Sequence, residues 1–195
     1  MIRKFKDLIV IILRKLGRYI FYIRLTFLYK VWGIEAINRV LLNCNPFYIR
    51  YLLTRFGATV ESDCDINSPL IINYPLENYT HLKIGHQCHL GKEVLLDLCD
   101  YIYIENNVTI SMRTMIITHI DVGQSPLQHN VYPSQNAPVT IRHGAYIGAG
   151  ATILRGVTIG EYAIIGAGSV VLNDIPSRCV AVGVPARVLK TIEID

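Results

Sequence analysis

Aliphatic residues recur at every sixth position through the C-terminal half of the chain. Between residues 139 and 171 they occupy six successive positions at this spacing, and a small or β-branched residue lies two positions before each one. Neither the 3.6-residue period of a helix nor the two-residue alternation of a strand produces this pattern. A parallel β-solenoid does, because each hexad supplies one short strand and one corner. The aliphatic positions are Ile141, Ile147, Ile153, Ile159, Ile165 and Val171, and their small partners are Val139, Ala145, Ala151, Val157, Ala163 and Ser169.

Glycine follows the aliphatic residue in three of these hexads, at Gly148, Gly160 and Gly166. We interpret these glycines as positions where the chain bends sharply at a corner of the solenoid. The small residue two positions before each aliphatic residue would fill the space that the larger side chain leaves inside the coil.

The same period is present but interrupted between residues 60 and 116. Asn78 stands where an aliphatic residue is due, two additional residues near Cys99 and Asp100 lengthen one corner, and the period stops at His119. Residues 120–138 are rich in proline, asparagine, serine and glycine, which is typical of a loop. Because long ordered loops often carry function, we expect a site where the period stops. The aliphatic positions of this half are Val60, Ile66, Ile72, Ile84, Leu90, Leu96, Ile104, Ile110 and Ile116.

The first 56 residues follow a helical pattern instead. Residues 1–33 contain no proline and place apolar side chains three and four residues apart, which predicts an amphipathic helix. Further helices are predicted over Glu35–Leu42 and Pro46–Arg55. Three arginines interrupt the first helix, so no stretch reaches the 20 or so apolar residues that cross a bilayer. The apolar stripe comprises Ile9, Leu13, Leu16, Ile20, Ile23 and Phe27, and the arginines are Arg14, Arg18 and Arg24.

Two domains are therefore expected. Residues 1–56 form a basic amphipathic helical arm, and residues 57–195 form an all-β solenoid with an excursion over residues 120–138. The closing segment, residues 174–195, leaves the solenoid through Asp174-Ile175-Pro176 and is predicted to end in a short C-terminal helix.

Charge divides the chain in the same way. Residues 1–60 carry eleven Lys/Arg against two Asp/Glu, whereas residues 61–195 carry eight against thirteen. The mildly acidic body argues against a nucleic-acid partner. The cationic, aromatic arm suits the surface of an anionic membrane. Alternatively, its helices only cap the open apolar end of the solenoid.

Five cysteines, with no CxxC pair, are typical of reduced thiols in a cytoplasmic protein. The basic start has too short an apolar run, Leu8–Leu13, for a signal peptide, and no A-x-A site follows. We expect a cytoplasmic protein that contacts the inner face of the cytoplasmic membrane through residues 1–33.

Several motifs, IGAGATILRGVTIG, AIIGAGSVV, the exit DIP, the terminal GVPAR and the histidine of THIDVG, carry a family resemblance. Over residues 56–190 the chain resembles the hexapeptide-repeat acyltransferases, particularly the O-acetyltransferases of sugars and surface polysaccharides. The resemblance implies a left-handed parallel β-helix, an exception to the usual right-handed crossover. It also implies a homotrimer with acetyl-CoA bound in the groove between neighbouring protomers.

By this resemblance His119 is the catalytic base, a role that suits a neutral imidazole near pH 7. Asp121, two residues further on, is expected to hold the imidazole tautomer or to contact the acceptor, or else to form an Asx turn before Gly123. His129 in the loop is the alternative base. Asp97 and Asp100, at the lengthened corner, are candidates for binding the acceptor hydroxyl groups.

The resemblance places acetyl-CoA against five positions. Gly148 and Gly166 are separated by one 18-residue turn, so they would stack on one edge and let the pantetheine approach the backbone. Leu172-Asn173 stands where the family often has Thr-Lys, which leaves Lys190 as an alternative phosphate ligand. Gly91 replaces a frequent asparagine, so another group must stabilise the oxyanion. The five predicted positions are Tyr146, Gly148, Ala149, Gly166 and Arg187.

The predicted function is acetyl-CoA-dependent acetylation of a sugar hydroxyl in surface polysaccharide biosynthesis, without a metal. One alternative is N-acetylation of a nucleotide-linked amino sugar, which would need the same base. A second is a zinc hydratase, since zinc carbonic anhydrases share this fold and the chain offers His81, His86, His89 and His119. A third is a non-catalytic solenoid scaffold.

Overall fold

The computed structural model describes residue 17 and residues 19–193, with only the backbone described at residues 129 and 130. The chain forms two compact units, Met1–Arg39 and Val40–Asp195. The predicted domain boundary after residue 56 marks the start of the strands and lies inside the second unit. The third helix is therefore part of the same unit as the solenoid.

The first unit contains helix α1, residues 19–32, which Gly33 ends in a left-handed conformation with φ +65°. Helix α2, Ile34–Leu41, follows. Of the predicted apolar stripe, Ile20, Ile23 and Phe27 are 57, 54 and 63% exposed, and the rest lies outside the described residues. Among the described helices, none combines the length and apolarity needed to span a bilayer.

Helix α3, Pro46–Arg55, opens the second unit. Asn45 caps it by accepting a hydrogen bond from the backbone N–H of Phe47 at 3.0 Å, and Pro46 occupies the first turn. Its buried side chains are Ile49, Leu52 and Leu53, and the helix packs against β1 and β2. This helix therefore caps the first coil of the solenoid.

In the described chain, fifteen short strands wind into five coils of three strands each. Each coil contributes one strand to each of three parallel sheets, which we call the first, second and third faces. The prediction of a parallel solenoid is confirmed. The coils are β1 Thr59–Val60, β2 Asp65–Ile66, β3 Leu70–Asn73; β4 Leu82–Ile84, β5 His89–Leu90, β6 Val94–Asp97; β7 Ile102–Ile104, β8 Thr109–Ile110, β9 Met115–Ile116; β12 Val139–Ile141, β13 Tyr146–Ile147, β14 Thr152–Ile153; and β15 Thr158–Ile159, β16 Ile164–Ile165, β17 Val170–Val171.

Strands of neighbouring coils pair in register. On the second face Tyr146 aligns with Thr109 in the preceding coil and with Ile164 in the following one. All twelve inward residues of the C-terminal hexads are at most 2% exposed. Burying one such aliphatic side chain contributes about 1.5–3 kcal/mol, so the repeated residues form the core that stabilises the fold.

The glycines after the inward aliphatic residues have a different cause from the predicted one. Gly148 is not among the residues with positive φ; the glycines in that conformation near these corners are Gly144, Gly150, Gly156 and Gly168. A Cβ atom on Gly148 would lie 2.5 Å from the backbone nitrogen of Ala167 in the next coil. Gly148 lies at the corner after β13, as predicted, but glycine is needed there because neighbouring coils approach closely and not because of a left-handed backbone.

All three interruptions of the hexad period fall at the same corner of the solenoid. Each lies between a third-face strand and the next first-face strand, at residues 74–81, 98–101 and 117–138. The longest contains β10, His119–Ile120, paired antiparallel with β11, Gln135–Asn136, and the single-turn helix α4, Leu127–Asn130. Because successive coils stack, the three excursions lie side by side, and we call them together the excursion edge.

The C-terminal segment is a β-hairpin. Strand β18, Cys179–Gly183, continues the second face beside β16, and β19, Ala186–Thr191, pairs with it antiparallel. The predicted short C-terminal helix is therefore wrong. Residues 186–191 form backbone hydrogen bonds with the exposed edge of β18 when they adopt a strand. This pairing outweighs their weak local preference for a helix.

Candidate active site on the excursion edge

His119 and Asp97 form a buried pair at the excursion edge. His119 Nδ1 lies 2.6 Å from Asp97 Oδ2, and the side chains are 17% and 0% exposed. Asp97 is the last residue of β6 and His119 the first of β10, so adjacent coils bring the two together. With Nδ1–H donating to the carboxylate, the neutral ring carries its free lone pair on Nε2.

Asp97 is fixed by three further donor groups. Its Oδ2 accepts from the backbone N–H groups of Thr118 and His119, at 2.8 and 3.1 Å, and lies 3.0 Å from Thr118 Oγ1. The second oxygen, Oδ1, is buried and has no hydrogen-bond partner within the described residues. The prediction that Asp97 binds acceptor hydroxyls is wrong, because the carboxylate is fully buried and engaged with the imidazole.

The other two predicted carboxylates hold the backbone of the edge. Asp121 Oδ1 accepts from the N–H of Gly123 at 2.7 Å, the Asx turn considered from the sequence. The prediction that Asp121 holds the His119 tautomer is wrong, because Asp97 does so; contact with an acceptor stays a prediction. Asp100 Oδ1 accepts from the N–H of Tyr101 at 2.7 Å, so its role as an acceptor ligand also stays a prediction.

Two residues that the sequence analysis missed complete this edge. Thr118 is fully buried, and its Oγ1 accepts from the Asp100 N–H at 2.9 Å, which joins two excursions. The ring of Tyr74, from the first excursion, lies edge-on against the His119 ring, with centroids 4.5 Å apart and an interplanar angle of 68°. Both residues lie in interruptions of the hexad period. The available sequence signal was that each interruption follows the third strand of a coil, so residues from different interruptions share one corner.

A cysteine also lies at this edge. Burial raises the pKa of the Cys99 thiol, and the charges of Asp97, Asp100 and Asp121 raise it further. Because a thiolate and not a thiol is the nucleophile, this environment does not activate Cys99.

The predicted acetyl-CoA positions lie elsewhere, on the second face and the corner after it. Tyr146 is 43% exposed, and its hydroxyl accepts from Ser111 Oγ at 3.1 Å. Gly148 and Gly166 stack in adjacent coils. Gly166 abuts Val182, which pairs with Arg187 across the hairpin.

Within this group Arg187 is exposed, and its guanidinium donates to the Ala186 carbonyl at 2.8 Å. Ala149 is half-buried, and Lys190 is exposed on β19. The fold thus clusters these positions in space, and their contact with the co-substrate stays a prediction. The close coil spacing requires glycine at 148 independently of any ligand.

Position 91 differs from the asparagine that the resemblance suggests for a structural reason. A Cβ atom on Gly91 would lie 2.6 Å from the backbone nitrogen of Met112. A side chain cannot be added there without moving the neighbouring coil.

Three other histidines have hydrogen-bond partners of their own. His81 Nδ1 lies 3.0 Å from the Leu98 carbonyl, and His86 and His89 pair with Asp63 and Asp65 at 3.2 and 2.8 Å. Among the described residues, no three His, Cys, Asp or Glu side chains converge as metal ligands. The His129 side chain lies outside the described atoms, so its role as alternative base stays a prediction.

Comparison with known proteins agrees with this architecture. The family described as bacterial transferase hexapeptide (six repeats) matches residues 138–173. A galactoside O-acetyltransferase of Escherichia coli (strain K12) is 30% identical over 146 residues, which cover 72% of this chain and 67% of that protein. A serine acetyltransferase of Buchnera aphidicola is 40% identical over 103 residues, or 53% of this chain and 36% of that protein.

Among solved structures, a maltose O-acetyltransferase from Clostridium difficile 630 superposes with a TM-score of 0.71 at 26% identity, covering 82% of this chain and 84% of that one. The solenoid matches the left-handed parallel β-helix of these enzymes. The chain spans 36% of the length of the serine acetyltransferase that it matches. The repeat match, the shared fold and the similarity to the galactoside enzyme together show that the chain belongs to the hexapeptide-repeat acyltransferase family.

Proposed function

We propose that this protein is an acetyl-CoA-dependent O-acetyltransferase that acts on a sugar hydroxyl, with His119 as general base. The observation that carries the proposal is the buried His119–Asp97 pair on the excursion edge of a hexapeptide-repeat solenoid. Its geometry orients Nε2 as the free basic atom of the imidazole.

In the proposed reaction Nε2 of His119 takes the proton of the acceptor hydroxyl as its oxygen attacks the thioester carbonyl. Asp97 stabilises the resulting imidazolium through the Nδ1–H hydrogen bond. When the carbon–sulfur bond breaks, Nε2 returns the proton to the departing thiolate. The products are an acetyl ester and free coenzyme A, and the imidazole is neutral again.

A panel assay tests the acceptor class. Purified protein is incubated with acetyl-CoA and with simple sugars, nucleotide-linked amino sugars, lipid-linked oligosaccharides and L-serine, and the products are identified by mass spectrometry. We expect an acetylated saccharide whose acetyl group is released by mild alkali, as an ester is and an amide is not. An alkali-stable product would indicate N-acetylation, and turnover of L-serine alone would contradict a saccharide acceptor.

We also propose that the active site forms between protomers of a homotrimer. His119 lies at the corner between the third and first faces, whereas Tyr146 lies on the second face. One chain therefore carries the proposed base and the proposed co-substrate site on different parts of the prism. Joining them across a rotational axis would complete three equivalent sites.

Mixed oligomers test this arrangement. We expect His119→Ala and Tyr146→Ala proteins, each inactive alone, to regain about one quarter of wild-type activity after co-expression, because one in four interfaces then has both intact residues. Absence of any recovery, despite co-purification of the two forms, would place the site within a single chain.

The N-terminal unit supports peripheral binding to an anionic membrane at the cytoplasmic face. Helix α3 already caps the solenoid, so capping does not account for the exposed apolar residues of α1, among them Ile23, Phe27 and the 67% exposed Trp32. The cationic excess of residues 1–60 complements an anionic headgroup surface. A membrane-bound enzyme is suited to glycans assembled on a lipid carrier, which supports a role in surface polysaccharide biosynthesis.

Vesicle flotation tests this part. The full chain should float with vesicles containing phosphatidylglycerol, and Ile23→Asp/Phe27→Asp should remain in solution. Phe47→Asp is the matched control, because Phe47 is 78% exposed on α3 in the other unit. Equal flotation of all three proteins would contradict membrane binding through α1.

A further inference from the structure

Tyr74 combines exposure with contact to the proposed base. Its side chain is 54% exposed, yet its ring lies edge-on to His119, with centroids 4.5 Å apart. It follows β3 directly, and β3 is held in place because Asn73 aligns with Asp97 on β6. The ring therefore lies between the His119 side chain and solvent on one side of the pair formed by His119 and Asp97.

The backbone of Tyr74 is strained. Its φ is +45°, and Leu76 two residues later has φ +53° and is 65% exposed. An L-residue with a bulky side chain pays a conformational cost in this region, which glycine avoids. Several corners of the C-terminal coils use glycine at such positions, as at Gly150, although Tyr162 also has a left-handed backbone. What sets Tyr74 apart is that its strained backbone holds a ring against the proposed base.

We infer that Tyr74 binds the acceptor and that its exposed ring stacks on a pyranose brought to His119. This inference rests on the proposed function and specifies its substrate class. A pyranose has a face of C–H groups that packs on an aromatic ring, while its hydroxyls stay free for polar partners. A small, fully polar acceptor such as serine has no such face, so the ring selects a saccharide.

The chain offers a matched control. Tyr162 also has a left-handed backbone, with φ +56°, and its ring lies edge-on to His143 with centroids 5.2 Å apart. It lies on the regular C-terminal coils, where its ring contacts Gly144. Replacing it tests the general effect of removing a strained tyrosine that packs on a histidine.

Initial rates with a saccharide that the wild type acetylates provide the test. We expect Tyr74→Leu to raise the acceptor KM about tenfold or more while kcat and the KM for acetyl-CoA change by less than about threefold. Tyr74→Phe keeps the ring and should resemble the wild type, as should Tyr162→Leu. Tyr74→Asn, which tolerates the backbone conformation, should repeat the KM effect if Tyr74→Leu folds poorly.

The outcomes separate this inference from the proposed function. If the wild type acetylates a saccharide and neither Tyr74→Leu nor Tyr74→Asn raises its KM, the inference is wrong and the proposed function stands. A loss confined to kcat would make Tyr74 a positioning residue for His119 and would also overturn it. If the wild type acetylates no saccharide, the proposed function fails and the inference fails with it.

Discussion

Two histidine–aspartate pairs with similar geometry lie in different regions of the solenoid. On the regular second face, His89 Nδ1 lies 2.8 Å from Asp65 Oδ2, and the side chains are 44% and 68% exposed. On the excursion edge, His119 Nδ1 lies 2.6 Å from Asp97 Oδ2, with 17% and 0% exposed. Distance hardly distinguishes the pairs, but burial does.

Burial changes what each pair can do. An exposed pair is screened by water and contributes about 0–1 kcal/mol, so His89 and Asp65 need no role beyond the surface. A buried carboxylate with one oxygen that has no partner among the described residues costs free energy, so stability does not explain Asp97. The hydrogen bonds converging on its other oxygen fix the orientation of the imidazole, which the proposed general-base role requires.

Replacing the aspartate of each pair with asparagine tests this comparison with the largest expected effect. Asp97→Asn removes the charge that, in the proposed mechanism, stabilises the His119 imidazolium, and we expect kcat to fall by about 10²–10⁴. Asp65→Asn should leave kcat within about twofold, because its pair is exposed. The measurement is steady-state kinetics with acetyl-CoA, with circular dichroism to check folding. Equal effects of the two substitutions would show that the buried pair has no special role.

Glycine-to-alanine substitutions compare a position where neighbouring coils pack closely with a corner position that has a left-handed backbone. A Cβ at Gly148 would meet backbone of the next coil, so we expect Gly148→Ala to destabilise the fold by about 3 kcal/mol. Gly150, with φ +68° and open space around it, should lose only about 1 kcal/mol to alanine through backbone strain. Urea unfolding measures both. The reverse order would contradict the explanation given for Gly148.

The smallest expected effect concerns Cys99. Burial and three nearby carboxylates keep its pKa raised, so the thiol stays protonated at neutral pH and forms thiolate only well into the alkaline range. Cys99→Ser should therefore retain kcat within about threefold, as expected for direct transfer without an acetyl-cysteine. Kinetics at pH 7.5 check this, and loss of turnover together with a trapped acetyl-enzyme in the wild type would contradict direct transfer.

The two regions also differ in how far the sequence predicts them. In the regular coils each hexad repeats the same local solution, so the period alone identifies every inward residue, as Ile153 and Ala151 illustrate. The C-terminal helix was mispredicted because pairing with β18, not local preference, decides the structure of residues 186–191.

At the excursion edge the choice between carboxylates depends on how irregular corners stack. Asp121 is near His119 in sequence, but Asp97, 22 residues away, reaches the ring because it ends the neighbouring strand one coil earlier. Tyr74 was missed for the same reason. Comparing the positions of the three interruptions would have revealed that they share one corner, although not which side chains meet there.

The central claim is that the excursion edge holds the catalytic base, and substitution of His119 and His89 tests it most directly. Acetyl transfer from acetyl-CoA to an accepted saccharide is measured for His119→Ala and His89→Ala under identical conditions. We expect His119→Ala to lose at least about 10²-fold in kcat and His89→Ala to remain within about twofold of the wild type. Full turnover by a folded His119→Ala protein would contradict the account.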